Sequence, residues 1–183
     1  MAINFGPIVA GPYTGTYNSV DVGFTRDGFK YGVEWMGEVQ NQSDIFGDTI
    51  FDIIYRGANA QLTFTSKTFK AGSLTPFWPW GSGVSGVLFS QIYSDTAPIG
   101  RSARALAAAM VLTTVANTPA DLATALSPAS VQLDALTASK AFLAPNQRSE
   151  ILFDAKAREV PIVLTLFPYE HSTSGTLIHA STA

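Results

Sequence analysis

Three segments between residues 29 and 69 alternate apolar and polar side chains with the two-residue period of a β-strand. They span residues 29–36, 49–55 and 61–69. A period of two places alternate side chains on opposite faces of a sheet, and the β-branched and aromatic residues that fill these segments suit such a surface. The alternation therefore predicts three consecutive strands. We expect a hairpin at residues 56–60 to join the last two, with Gly57 or Asn59 at a positive φ.

The connection between the first two of these strands, residues 37–48, is mostly polar and contains one apolar pair, Ile45 and Phe46. This pattern predicts a long loop. A loop of this length either carries a function or a partner contact, or is simply solvated. The residues alone leave both alternatives open.

Charge is scarce in this chain of 183 residues, and it is unevenly distributed. Charged residues make up 14% of the sequence, against about 25% in typical soluble domains. That scarcity fits a subunit surrounded by copies of itself, and it also fits a very regular β protein. Residues 1–60 hold seven acidic and three basic side chains. The sequence contains no basic stripe, which argues against a groove that binds nucleic acid.

The length predicts a single domain spanning residues 1–183, and a hydrophobic fraction of 46% is enough for a buried core. There is no cysteine, which excludes disulfides and thiolate metal sites. The first residues lack the pattern of a signal peptide, and the apolar stretch at 103–115 is too short to span a bilayer. We therefore expect no membrane partner.

Glycine and proline divide the rest of the chain into short elements. Residues 1–17 are rich in both and predict an extended arm, whereas residues 171–183, rich in Ser, Thr and Gly, predict a loosely ordered tail. Thr118 as N-cap and Pro119 in the first position predict one short α-helix over residues 119–126. Further strands are predicted over residues 17–24, 87–93, 104–115, 130–135, 139–143 and 158–167.

Two local patterns add detail to this outline. The strand at 158–167 carries apolar side chains on both faces, so we expect it to be buried on both. Residues 26–28 predict a tight turn ahead of the central strands, and residues 145–146 predict another.

No group of residues in the sequence has the pattern of a catalytic or cofactor site. His171 and His179 lie in the predicted tail, which would not hold a catalytic base in place, and no His, Asp or Glu cluster has metal-ligand spacing. Residues 81–86 match G-x-G-x-x-G, but a strand-like segment follows where nucleotide binding needs a helix. The aromatic cluster at 77–80 is expected to plug one end of the core, with an apolar ligand platform as the alternative. We predict a protein that is not an enzyme, with no catalytic residue, metal or cofactor.

The order of these segments between about residues 20 and 168 resembles the tail tube (major tail) proteins of tailed bacteriophages. The segments that carry the resemblance are residues 28–34 (GFKYGVE), 46–57 (FGDTIFDIIYRG), 60–65 (AQLTFT), 140–145 (KAFLAP) and 158–164 (REVPIVL). The predicted helix is shorter, and residues 75–86 are more aromatic, than this pattern leads us to expect.

The resemblance implies a mainly β fold: an antiparallel β-sandwich or barrel with one short flanking α-helix, an extended N-terminal arm and a long hairpin loop. It further implies a structural virion protein, assembled in the host cytoplasm, in which six copies form a ring and rings stack into the tail tube. The implied partners are the chain itself and other tail proteins (a sheath or terminator, a baseplate or tape measure). DNA would pass only as transported cargo.

The resemblance also implies roles for particular residues. The arm or the tail would bridge subunits, and acidic side chains, for which Asp21 and Glu34 are the candidates, would line a lumen to which DNA does not adhere. The long loop would contact a neighbouring ring through Glu38, Gln40, Asn41, Gln42, Asp44, Ile45 and Phe46. Two alternatives remain open: a secretion-system tube or tail terminator ring subunit, and a monomeric β-barrel that binds a small ligand near residues 77–80.

Overall fold

Antiparallel strands make up most of the described part of the chain. A computed structural model describes residues 13–43, 49–67, 75–77, 100–114, 135–146 and 159–182. Its elements, in chain order, are β1 (Tyr13–Tyr17), β2 (Val20–Asp21), β3 (Thr25–Ser43), β4 (Thr49–Ser66), a 3₁₀ turn (Thr75–Phe77), α1 (Ala103–Leu106), β5 (Ala108–Thr114), β6 (Ala135–Leu143), β7 (Val160–Leu166), β8 (Tyr169–Glu170), β9 (Leu177–Ile178) and β10 (Ser181–Thr182). The predicted mainly β, antiparallel class is confirmed.

Eight of the described strands form one sheet, in the order β2-β1-β5-β6-β7-β4-β3, with β10 paired to β6 beside this path. β8 and β9 form a separate hairpin. Among the described residues no ladder joins β2 to β3, so these residues form an open sheet and do not show the expected β-sandwich or barrel. The sheet is nevertheless strongly curled, which brings β1 and β3 from opposite ends of the strand order close together. A Cβ built on Gly15 of β1 would lie 2.7 Å from the Phe29 ring of β3.

The core lies on the concave face of this sheet and is built by the period-two alternation of β4 and β7. Leu62 pairs with Leu164, and Phe64 pairs with Ile162; all four side chains are buried. Phe77 closes one end. Its ring stacks on the ring of Tyr17 with centroids 4.5 Å apart. The prediction that the aromatic cluster plugs the core is therefore confirmed for Phe77, and Trp78 and Trp80 lie outside the described residues.

The second and third predicted strands are a single strand. β4 runs without interruption from Thr49 to Ser66, so the predicted hairpin at 56–60 is wrong. Gly57 does adopt a positive φ, +135°, but it does so within the ladder, where Met36 pairs with Gly57 and Gly37 with Tyr55. Arg56 is thus an extra residue in β4. Glycine marks β-bulges as well as turns, and this one is a bulge.

The predicted turn at 26–28 is also part of a strand. Arg26 pairs with Thr65 and Phe29 with Phe64, which leaves Asp27 and Gly28 as an irregularity inside β3. Both have positive φ values, 59° and 71°. The residues that predict a turn here form a bulge instead, because β3 pairs with β4 both before and after Asp27 and Gly28.

The two chain ends are more ordered than the sequence indicates. Residues 13–17 of the predicted arm form β1, which pairs with β5, and residues 1–12 lie outside the described part. The predicted strand at 17–24 is confirmed only at Tyr17 and Val20–Asp21, since a two-residue turn at Asn18 and Ser19 reverses the chain between β1 and β2. The prediction of a loosely ordered tail is wrong over residues 171–182, which hold β9 and return to β6 as β10.

Four other predictions can be compared with the described residues. Strands at 139–143 and 158–167 are confirmed as β6 and β7, but β7 is fully buried on one face only, because Pro161 is exposed and Val163 half-buried on the other. The predicted strand at 104–115 begins with helix α1 and becomes β5 at Ala108. The turn at 145–146 is confirmed. The predicted helix at 119–126, the strand at 87–93 and the glycine motif at 81–86 lie outside the described residues.

Candidate assembly surface

The hairpin of β3 and β4 extends well beyond the rest of the sheet. β4 pairs with β7 through residues 60–66, whereas its pairing with β3 continues to Thr49. We call residues 33–43 of β3 and 49–59 of β4 the ribbon. Within the described part of the chain, no third strand pairs with it, and a hairpin of two strands is marginally stable by itself in water.

Side chains on one face of the ribbon continue the face that forms the core. Tyr31 pairs with the core residue Leu62, and Val33 pairs with the core residue Ala60. Paired residues share a face, and Trp35 follows on that face by the period of two. The core face therefore leaves the enclosed interior and runs out along the ribbon.

Tyr55 and Ile53 of β4 complete this face. Gly37 pairs with Tyr55, and a Cβ on Gly37 would lie 2.5 Å from the Trp35 ring and 2.6 Å from Cγ2 of Ile53. Trp35 and Ile53 therefore lean over Gly37 from the same side. We call this set the apolar stripe: Tyr31, Val33, Trp35, Ile53 and Tyr55.

Every member of the apolar stripe is exposed. The exposed fractions are 44% for Tyr31, 52% for Val33, 58% for Trp35, 42% for Ile53 and 64% for Tyr55. Isolated exposed apolar residues are ordinary, but a contiguous row of this kind marks an interaction site or an aggregation hazard. Partial burial raises the pKa of the Tyr31 phenol, and a phenol is uncharged at neutral pH even at its ordinary pKa of about 10.

The bulge at Arg56 is what keeps the apolar stripe continuous. Ala60 and Ala58 lie on the stripe face, so strict alternation would next place Arg56 and Ile54 there. The extra residue reverses that order and puts Tyr55 and Ile53 on the stripe instead, because a one-residue shift exchanges the two faces of a strand. Arg56 then donates from Nη1 to Oε2 of Glu38 at 2.8 Å.

β3, β4 and β7 also line a groove of about 850 Å³. Its lining on β3 runs from Lys30 to Glu34 and includes Tyr31 and Val33 of the stripe. Phe142 and Phe167 contribute apolar surface, and β4 and β7 add polar groups through Asn59, Gln61, Thr63 and Thr165. Gly32 lies open in this groove: a Cβ placed on it would have no neighbour within 4 Å.

The structure places the predicted loop residues in a strand. Residues 37–43 belong to β3, so the prediction of a loop is wrong there, and Gln40, Asn41 and Gln42 are ribbon residues. Polar composition alone indicated a loop, whereas Asn41 and Gln42 pair with Asp52 and Ile50 of β4. Glu38 is on the ribbon face opposite the apolar stripe. Asp44, Ile45 and Phe46 lie outside the described residues.

The two acidic residues predicted to line a lumen are not brought together. Asp21 is exposed in β2, where its Oδ1 accepts a hydrogen bond from the Gly23 backbone N–H at 2.8 Å. Glu34 lines the groove, nine residues beyond the start of β3, which is roughly 30 Å along an extended strand. The described residues thus hold these acids in two separate surroundings.

Sequence reasoning missed the apolar stripe as a functional surface. The sequence did contain the signal, because apolar residues recur with period two at 29–35 and again at 51–55. A hairpin at the edge of a sheet cannot bury that many apolar side chains. What could not be read from the sequence was that β7 ends opposite Ala60, because that depends on how distant strands pair.

Two other features are absent from the described residues: a metal-ligand cluster and a membrane-spanning helix. Within the ranges given above, no three His, Asp or Glu side chains are placed to hold a metal ion. None of the helices in those ranges has the length and apolar character needed to cross a bilayer. The closest charged pair away from the ribbon is Arg26 with Glu159, 2.9 Å apart; this hydrogen bond raises the pKa of Arg26.

Comparison with known proteins adds no relative. No protein-family model matches the chain, and a search of curated proteins finds no match either. The resemblance to tail tube proteins therefore rests on the sequence segments named above.

Proposed function

We propose that this protein is a structural subunit that assembles with copies of itself into rings, and that the rings stack into a tube, as in the bacteriophage tail tube proteins that the sequence resembles. The observation that carries the proposal is the ribbon with its exposed apolar stripe. An isolated chain leaves that surface in water, and a neighbouring copy would cover it.

The open backbone edges of the ribbon support the same proposal. Over residues 49–59, β4 has a ladder with β3 on one side and no described partner on the other. Free edges of long strands template pairing with another chain, and monomeric proteins blunt them with charge, proline or short length. The ribbon edge is long, and Arg56 is paired to Glu38 within the ribbon. Such an edge suits subunits that join side by side.

In such a tube, DNA would be cargo, and Asp21 and Glu34 are our candidates for acidic residues facing the lumen. The absence of a basic stripe from the sequence is consistent with a surface that DNA passes without binding. Charge reversal at these two positions should slow DNA passage while rings still form; unchanged DNA delivery by the doubly reversed variant would argue against this role.

The assembly itself can be tested on the purified chain by sedimentation velocity and negative-stain electron microscopy. We expect species of about six chains and stacked rings or tubes at high concentration. A single-chain species at every concentration would contradict the proposal.

The groove favours a second candidate function, small-ligand binding by a monomer. Its volume of about 850 Å³ lies within the range of about 300–1,000 Å³ that ligand pockets occupy. Phe77, which the sequence offered for a ligand platform, is buried in the core, so the groove takes its place in this alternative. Saturable binding of an apolar dye by a stable single chain would favour it.

A further inference from the structure

We propose that residues 1–12 of the chain lie along the apolar stripe of their own ribbon while the subunit is single. These residues precede β1 and are outside the described part of the chain. The inference rests on the proposed function, self-assembly, and adds a control to it. The segment covers part of the stripe until a neighbouring copy takes its place.

The packing of β1 places the beginning of this cover beside the stripe. A Cβ built on Gly15 would lie 2.7 Å from the Phe29 ring, and Phe29 is two residues before Tyr31, the first residue of the stripe. Tyr13 and Phe29 both pack against the core. The chain therefore enters β1 next to the point where the core face continues onto the ribbon.

The strand directions show that the chain reaches β1 from the ribbon side. Each neighbouring pair from β1 through β5, β6 and β7 to β4 is antiparallel, so β1 and β4 run in the same direction. β4 runs from the ribbon at Thr49 to the core at Ser66. β1 likewise runs away from the ribbon, and a segment that continues β1 backwards from Tyr13 follows the ribbon outwards.

The length and composition of the segment match the stripe. An extended chain rises about 3.3 Å per residue, so residues 1–12 reach about 40 Å, and residues 33–43 of β3 span about 36 Å. Residues 1–12 include no Asp, Glu, Lys or Arg, so covering the stripe with them buries no charged side chain. The large apolar side chains of the segment are Met1, Ile3, Phe5, Ile8 and Val9.

Such a cover is weak enough to be displaced. Ordering an extended segment costs conformational entropy at every residue, and burial of a few apolar side chains recovers a free energy of similar size. A neighbouring copy offers apolar contact and also backbone pairing at the open ribbon edge. It therefore replaces the segment as the protein concentration rises.

Intrachain cross-linking tests the contact, and the absence of cysteine makes engineered thiols unambiguous. Val9 is six residues before Gly15, and Trp35 is six residues after Phe29, so the two should lie at the same height along the ribbon. The double variant Val9→Cys with Trp35→Cys should form a disulfide within one chain at a concentration where the protein is single. Mass spectrometry of the digested protein identifies the linkage.

Two controls accompany this double variant. Val9→Cys with Glu34→Cys should cross-link poorly, because the exposed Glu34 is next to Trp35 but on the other face of β3. The single variants Val9→Cys and Trp35→Cys, mixed at the same concentration, should form no disulfide between chains.

Removing the cover should promote assembly. A cover that is closed in about nine of ten subunits raises the concentration needed for assembly about tenfold, so a variant lacking residues 2–10 should assemble at about one tenth of the wild-type concentration. Phe5→Ser with Ile8→Ser should act in the same direction without shortening the chain, and Asn4→Ser is the matched control. Sedimentation velocity measures assembly, and circular dichroism checks that each variant is folded.

The outcomes separate this inference from the proposed function. A disulfide that is absent, forms between chains, or forms equally well with Glu34→Cys overturns the cover and leaves self-assembly intact. The same holds for a shortened variant that assembles no more readily than the wild type. Wild-type and shortened chains that both stay single at every concentration overturn the proposed function and the control, whereas the intrachain disulfide alone decides the contact. That disulfide together with easier assembly of the shortened chain supports both.

Discussion

Asn18 and Ser19 show how the conformation of two residues sets the pairing of β1 with β2. Their φ values are +50° and +63°, and they form the two-residue loop between Tyr17 and Val20. Two consecutive positive φ values are typical of a type I′ turn, in which glycine is strongly favoured at the second position. Serine at that position therefore carries a conformational cost.

Replacing Ser19 with glycine should remove that cost. We expect Ser19→Gly to increase the free energy of unfolding by about 0.5–1 kcal/mol, measured by urea denaturation at a concentration where the chain does not assemble. Ser19→Val is the matched opposite and should be destabilising, since a β-branched residue tolerates positive φ poorly. A destabilised glycine variant would show that this turn is held by something other than its backbone conformation.

Tyr17 links burial in the core to the pH dependence of stability. Its hydroxyl donates to the Ala141 carbonyl at 3.0 Å, and burial raises its pKa from the ordinary 10.0 to about 12. The folded state therefore favours the neutral phenol. The stabilisation from this group is complete below pH 10, the unfolded value, and is lost as the pH rises towards 12.

We expect this loss to amount to about 2 kcal/mol between pH 9 and pH 12. The measurement is the free energy of unfolding of the wild type and of Tyr17→Phe across that range. The phenylalanine variant lacks the hydroxyl, so its free energy of unfolding should fall less steeply with pH. At pH 9 that free energy should be about 1 kcal/mol lower than in the wild type, because the Ala141 carbonyl loses its partner. Equal slopes would argue against Tyr17 as the titrating group.

At the scale of elements, the sequence predicted where strands occur better than how they connect. Alternation in residues 29–36, 139–143 and 158–167 was sufficient to predict strands there, because every second side chain of a strand lies on the same face of the sheet. The same residues could not reveal that 49–66 is one strand, since a glycine and polar residues at 56–60 are typical of a turn and of a bulge alike. The ribbon at 37–43 was missed because its residues are mostly polar and indicated a loop, although residues 49–55 pair with them.

The bulge at Gly57 should control the ribbon and leave the core unaffected. Its φ of +135° is rarely adopted by residues with a side chain, so Gly57→Val should cost about 1–3 kcal/mol locally. Ribbon opening should become roughly 5- to 100-fold more frequent. Chymotrypsin cleavage at Trp35 and Tyr55, followed by mass spectrometry, measures that opening, because cleavage tracks the population of the open form.

Gly32→Val provides the control for this substitution in the same pair of strands. Gly32 has open space and is not held at a positive φ, so cleavage of the ribbon in that variant should be no faster than in the wild type. Equal acceleration in both variants would mean that the bulge has no special part in holding the ribbon.

At the scale of the whole molecule, the apolar stripe should decide whether copies associate. Tyr55 and Leu177 are similarly exposed, 64% and 67%, but only Tyr55 belongs to the stripe. We expect Tyr55→Lys to weaken assembly at least about tenfold, since a charge would be buried in a subunit contact. Leu177→Lys should leave the sedimentation profile unchanged. A comparable effect of both substitutions would indicate non-specific hydrophobic association.

The central claim, that the ribbon is completed by another copy of the chain, is tested most directly by amide hydrogen exchange across a range of protein concentrations. Protection of residues 33–39 and 53–59 should rise with concentration in step with assembly, whereas the amides of β7 should be protected throughout. Ribbon protection that is the same at every concentration would contradict the claim.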